Sequence, residues 1–229
     1  MRRIFLCTLL PLLALAVAAQ TSLSEWYSSS PAARRYKPMQ AELSALMAEA
    51  EARGIPSELI LSRLSEGAEK RVSSERLATA LRGDIEAYAS VLAILAETAP
   101  GAAAGQRRDS LLERGGMALR AGLSGELFKA FLGKAVGGGA EPGRAIDALL
   151  AVAAVGSRLG LDAGSEEGLA LSLAFSKEKA DRFSLLSSLF LRGRAGKMGS
   201  RELVSLAVSV FDSGGGFLQL EAEITRRLK

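Results

Sequence analysis

The stretch RGIPSELILSRLSEGAEKRVSSERLATAL, Arg53 to Leu81, states one instruction twice, about 17 residues apart. Ile55-Pro56-Ser57-Glu58 and Val72-Ser73-Ser74-Glu75 each place an apolar residue, then a capping residue, then an acid in a first helical turn. Glutamate there faces the positive end of the helix dipole, proline is preset for a first turn, and the apolar residue ahead of the cap can staple onto the new helix. Two such starts in succession predict a helical hairpin. Leu59/Ile60 and Leu64 supply one apolar face; Leu77, Leu81, Ile85, Tyr88, Leu92 and Leu95 supply the next.

The hairpin recurs. GIPSELILSRL from Gly54 aligns with GLSGELFKAFL from Gly122, 68 residues on and without a gap. Gly54, Glu58, Leu59 and Leu64 match Gly122, Glu126, Leu127 and Leu132; in the same register Arg76, Ala80 and Leu81 match Arg144, Ala148 and Leu149. GSREL from Gly199 resembles the same start but falls off this register. Helical pairs that repeat stack into one continuous core.

Composition agrees. Of 229 residues, Val, Ile and Thr number 21 against 38 Leu, and aromatics are 5%. Strands favour β-branched and aromatic residues, so the balance predicts an all-α protein. Helical periods extend on both sides: Leu43, Leu46, Met47 and Ala50 before the opening stretch; then Arg107 to Leu119, weakened by Gly115-Gly116, and Ser124 to Val136. Arg144 to Leu159 is apolar enough to be central. A helix capped by Ser165-Glu166-Glu167 follows, then one carrying Phe183, Leu186, Leu189 and Phe190, then Ser200 to Phe211 and Phe217 to Leu228. The expectation is about ten helices in stacked hairpins over residues 39–229, in two similar halves, 39–105 and 106–229.

The N-terminus reads differently. Arg2 and Arg3 precede an apolar run from Ile4 to Ala19, too short for the roughly 20 residues of a membrane span and ending in small residues. Residues 1–19 are expected to be a cleavable signal peptide, cut near Ala18/Ala19. Residues 20–38, with their Ser clusters and two prolines, read as a flexible linker. Trp26, Tyr27 and Tyr36, beside Arg34, Arg35 and Lys37, either offer a surface to a partner or membrane or dock back on the helices.

Chemistry is narrowed by what the chain lacks. It has no His, and its one Cys, Cys7, lies in the expected signal peptide. That removes imidazole and thiolate metal ligands and every Ser-His or Cys-His nucleophile. The six Asp are scattered and Asn is missing, so neither a metal site nor a bound cofactor is expected. Without Arg2 and Arg3 the formal charge falls from +4 to +2, with no basic stripe for nucleic acid. GRAGKMGS from Gly193 lacks the spacing of a phosphate loop. GGGAEPG could cradle an anion but is also an ordinary turn between helices. Glu66 with Glu69, Glu166 with Glu167, and Glu221 with Glu223 are carboxylate pairs of the kind that cleave glycans, but each also suits a cap or a solvated face. No catalytic, cofactor-binding or metal residue is assigned.

The segment GIPSELILSRLSEGAEKRV resembles a repeat of uncharacterised exported bacterial proteins, in which Gly, an aliphatic residue and Pro lead into a Lys-x-x-Glu-Gly-x-Ala-Lys-like helix and a second apolar-Pro-x-Glu start. Gly54-Ile55-Pro56, Glu66-Gly67-Ala68 and Lys70 carry the likeness; Arg63 stands for the first Lys, and Ser73 for the second Pro. The resemblance covers this stretch alone. It implies helical architecture and export, and no activity. The expectation is therefore a non-enzymatic interaction protein of the cell envelope with a protein or peptide partner. A carboxylate-dependent cell-wall hydrolase or lyase and a lipid- or membrane-surface-binding helical protein are the alternatives.

Overall fold

The computed structural model describes residues 23–229; the expected signal peptide and cleavage site lie outside them. The described chain is all-α and contains no strand. Its helices are α1 (Gln40–Ala52), α2 (Ser57–Glu69), α3 (Ser74–Thr98), the single turn α4 (Pro100–Ala103), α5 (Arg108–Arg120), α6 (Gly125–Gly137), α7 (Pro142–Leu159), α8 (Ala163–Phe175), α9 (Leu185–Ala195), α10 (Ser200–Asp212) and α11 (Phe217–Arg227).

The two instructions of the opening stretch become α2 and α3, whose first residues are 17 apart. That interval is a 13-residue helix plus a four-residue turn. It governs three blocks: α1-α2-α3, α5-α6-α7 and α9-α10-α11. The first two blocks superimpose in numbering at a shift of 68, with α1 on α5, α2 on α6, and the starts of α3 and α7 coinciding. Gly54 and Gly122 thus occupy equivalent places before equivalent helices.

The third block is a finding. It lies 75 residues after the second, because α8 and the 177–184 segment lengthen the connection by seven. GSREL belongs to it, but with Gly199 in the capping place held by Pro56 and Ser124. The apolar positions repeat in all three: Leu43, Leu111 and Leu186; Ile60, Phe128 and Leu203; Leu81, Leu149 and Ile224, each nearly or fully buried.

The turns repeat to the atom. Between the first and second helices of each block, the amides of Ile55, Leu123 and Met198 donate to the carbonyls of Ala50, Ala118 and Gly193, at 2.9, 3.3 and 3.0 Å. The preceding residue is left-handed each time: Gly54 at φ 73°, Gly122 at 105°, Lys197 at 69°. The second turns follow the same rule with Arg71 at φ 54°, Gly139 at 93° and Gly214 at 81°. This is the bond pattern in which a left-handed residue closes a helix, and glycine suits it because a Cβ is strained there. Replacing Lys197 or Arg71 by Gly should therefore raise stability by about 0.5–1 kcal/mol, while Gly54→Ala or Gly122→Ala should lower it by about 1 kcal/mol. Urea unfolding midpoints of the four variants check this.

The chain divides inside α3 into two compact units, the first ending at Ala89 and the second starting at Ser90. The expected boundary near residue 105 is displaced for a physical reason. The third helix of the first block does not stop after 13 residues but runs to Thr98. Val91 lies where a side chain on Gly115 would stand, and Lys129 pairs with Glu97 at 2.6 Å. Gly115-Gly116, read as a weakness, is buried within α5 and makes room for Val91 and Phe128.

In the first unit, the expected linker is structured. Residues 23–29 are helical and Pro31–Met39 form a 3-10 helix. Leu23, Trp26, Ala33 and Tyr36 are buried. Trp26 Nε1 donates to Ser65 Oγ on α2 at 2.9 Å, and Tyr36 Oη donates to the Val72 carbonyl at 2.6 Å. The aromatics dock back because the apolar faces of α1 and α2 lack a preceding helix to cover them, and a terminal repeat needs such a cap.

In the second unit, closely packed elements are one or two apart in the chain: α5 with α7, α6 with α7 and α8, α7 with α8 and α9, α8 with α10, α9 with α11. Alternate helices run side by side in the same direction. Where both present small side chains, they leave a groove.

Candidate binding groove

That groove lies between α7 and the chain from Ala180 into α9. Asp147, Leu150, Ala151 and Ala154 form one wall at helical spacing; Ala180, Asp181, Phe183, Ser184 and Ser187 form the other, around a cavity of about 280 Å3. Across Ala154 and Ser187 it narrows to a slot lined by Val155, Arg158, Leu159, Phe190 and Leu191. Small Ala and Ser side chains leave the space. Leu191 remains 47% exposed.

Charges mark the two ends. Asp147 pairs with Arg114 on α5; burial pushes its carboxyl up against the opposing pull of that guanidinium. Asp181 and Arg158 are exposed, and neither has an ion pair or hydrogen bond among the described residues. Sequence reading named none of these residues as a site. The available signal was the α7 stripe itself, apolar between an Asp and an Arg.

Below the groove, Arg144 fixes the end of α8. Its Nε donates to the Ala174 carbonyl at 2.6 Å, Nη1 to Glu178 at 2.7 Å and Nη2 to Ser176 at 2.6 Å, while the guanidinium lies 4.9 Å from the centre of the Phe183 ring. Glu178 in turn accepts from the Phe217 amide at 2.8 Å and caps α11. Arg144 thereby holds the 177–184 segment, which carries one wall of the groove.

The carboxylate pairs weighed in the sequence are mostly committed to structure. Glu66 binds Lys70 at 2.6 Å and Arg63 at 2.7 Å, and these bonds hold its carboxyl below the usual range, whereas Glu69 is exposed. Glu221 pairs with Arg192, Glu223 with Arg226 and Glu167 with Lys134. GGGAEPG holds no open anion site, since the Glu141 carboxylate caps α7 at the Arg144 amide, 2.7 Å away. GRAGKMGS is the turn between α9 and α10.

Sequence reading missed a buried network in the first unit. Asp84, only 4% exposed, lies 3.8 Å from Arg63 Nε, which donates to Tyr88 Oη at 3.4 Å. Asp84 occupies the apolar stripe of α3 beside Leu81, Ile85 and Tyr88, and an acid on a core face was the signal for it. Burial acts against the Arg63 charge, but the bonds with Tyr88 and Glu66 outweigh it and hold the guanidinium firmly protonated.

Glu166 stands apart. The α8 cap is Asp162, whose carboxylate accepts from the Ser165 amide at 2.9 Å, rather than Ser165 itself. Glu166 instead folds over Gly156, filling the space of a side chain there, at the rim of a cavity of about 190 Å3 that includes Gly122, Ser157 and Gly160. Burial, then the Asp162 charge, raises its carboxyl above the ordinary value. A carboxyl raised on folding is relatively stabilising below its unfolded value of about 4.3, and that contribution is lost as pH rises through the folded value. Glu166→Gln should therefore leave the Tm unchanged near pH 4 and raise it at pH 7, as thermal melts across that range will read.

No family model matches the chain, and neither a curated protein nor a solved structure matches it. Among the described residues, no helix is long and apolar enough to cross a membrane, and no group of three acidic, His or Cys side chains could hold a metal ion.

Proposed function

We propose that this chain is a non-enzymatic interaction protein of the bacterial cell envelope, binding a protein or peptide partner through its helical repeats. The observation that supports it is the groove of the second unit: open, apolar along its length, charged at its ends, and built between repeat helices rather than around reactive groups. Helical-repeat stacks commonly bind in this way. Capture from envelope extract with the mature chain as bait, followed by titration of the captured protein in purified form, tests the reading; no saturable partner would overturn it. N-terminal sequencing of the exported protein should begin at Ala19 or Gln20.

Glu166 favours a second reading. A carboxyl with a raised pKa beside a cavity is the acid of a glycan-cleaving pair. The neighbouring Asp162 is tied to its capping bonds and held below its ordinary range by the Ser165 amide and hydroxyl, which leaves the pair without a free base. Release of soluble fragments from purified cell wall, abolished by Glu166→Gln, would establish this reading in place of the first.

A further inference from the structure

We infer that the groove between α7 and α9 seats one amphipathic α-helix of a partner protein, its N-terminal end at Asp181 and its C-terminal end at Arg158. This rests on the reading of the chain as a binding protein and names the surface and the kind of partner.

Length, backbone chemistry and charge converge on that occupant. From Asp147 to Arg158 the wall of α7 extends roughly 16 Å at about 1.5 Å per residue, three turns of a helix. Ala151, Ala154, Ser184 and Ser187 let another backbone approach closely, while Leu150 and Leu191 give it apolar ridges to pack against. Both walls are helical over most of their length, with backbone donors and acceptors already used within their own turns. They offer no edge to an extended peptide. An occupant that satisfies its own backbone fits, and a helix does so.

The ends decide its direction. A helix carries partial positive charge at its N-terminus and partial negative charge at its C-terminus. Asp181 at one end and Arg158 at the other complement that polarity, and neither is committed to another ion pair among the described residues. A lipid chain gains nothing from two opposite charges at its ends.

The probe is a fluorescein-labelled, helix-forming peptide of about 15 residues with a leucine face, lysine in its first turn and glutamate in its last. A second peptide carries the same residues with lysine and glutamate exchanged. The wild-type chain should bind the first saturably and about tenfold more tightly than the second by anisotropy. Asp181→Lys with Arg158→Glu should invert the preference, and Ala154→Trp should abolish binding of both. All three positions are exposed, so the fold should survive, as melting confirms; if Ala154→Trp does not fold, the charge inversion decides alone.

Equal binding of the two peptides, no binding, or binding that Ala154→Trp leaves intact would overturn the proposal. So would self-association, or adsorption to phosphatidylglycerol vesicles, that the tryptophan abolishes while neither peptide binds. A partner captured equally by wild type and Ala154→Trp would overturn the groove and leave the binding-protein reading standing. Inversion by the peptides with no partner captured from extract would do the reverse.

Discussion

Arg144→Ala is expected to lower the unfolding free energy by about 3–4 kcal/mol. The guanidinium satisfies carbonyls of Leu173, Ala174, Ser176 and Glu178 at and just beyond the end of α8. Alanine would leave these half-buried acceptors without a partner, at about 1–3 kcal/mol for each that water cannot reach. It would also remove the cation from the negative end of the α8 dipole and from the face of Phe183. Lysine should restore no more than about 1 kcal/mol, since one ammonium cannot reproduce a planar fork of five donors. Urea titration followed by circular dichroism measures both variants. A loss under about 1 kcal/mol for alanine would mean that water substitutes for the guanidinium. Because Arg144 anchors the segment carrying Asp181 and Phe183, Arg144→Lys should also weaken peptide binding in the groove more than it weakens the fold.

Tyr36→Ala should be comparably damaging to the first unit, by about 4 kcal/mol, and Tyr36→Phe by about 1 kcal/mol. Tyr36 is fully buried, stacks near Trp26 with ring centres 6.4 Å apart, and donates to the last turn of α2 and the residue after it. Truncation removes a large ring and strands two carbonyls; removal of the hydroxyl alone strands only the carbonyls. Trp26 is the sole tryptophan and lies in the same cluster, so its fluorescence reports the first unit selectively. The fluorescence midpoint should shift further than the midpoint by circular dichroism. A Tyr36→Ala variant with an unchanged fluorescence midpoint would show that the 23–39 segment contributes nothing to stability.

The helices were legible because their signals are local: Glu58 and Glu75 in first turns, glycines at 54, 122 and 214, and leucines at helical spacing. The first duplication was legible because Gly54 and Gly122 lie in one register. The third block was hidden by a seven-residue lengthening and by Lys197, which takes a backbone conformation normally signalled by glycine. The 20–38 segment was misjudged as a linker because its serines and prolines look like loop, whereas Leu23, Trp26 and Tyr36 meet α2 only in three dimensions. The groove was illegible for a related reason: α7 and the 180–191 wall are separated by α8 in the chain, and the space between them is set by which alanines and serines happen to face each other. Arg144 was noticed only as a repeat match; its carbonyl partners lie about 30 residues downstream.

The one-or-two-apart packing in the second unit carries a kinetic consequence. A helix whose partners lie so near in sequence need wait for no distant segment, and closing such short loops costs little chain entropy. Topologies of this kind fold in microseconds to milliseconds, far faster than chains leave a ribosome at about 5–20 residues per second. The second unit can therefore build its core block by block, each new helix docking on a finished surface as it emerges. Any process that must keep this chain extended, such as threading through a narrow channel, has to hold it open against that tendency from the moment the first hairpin is free.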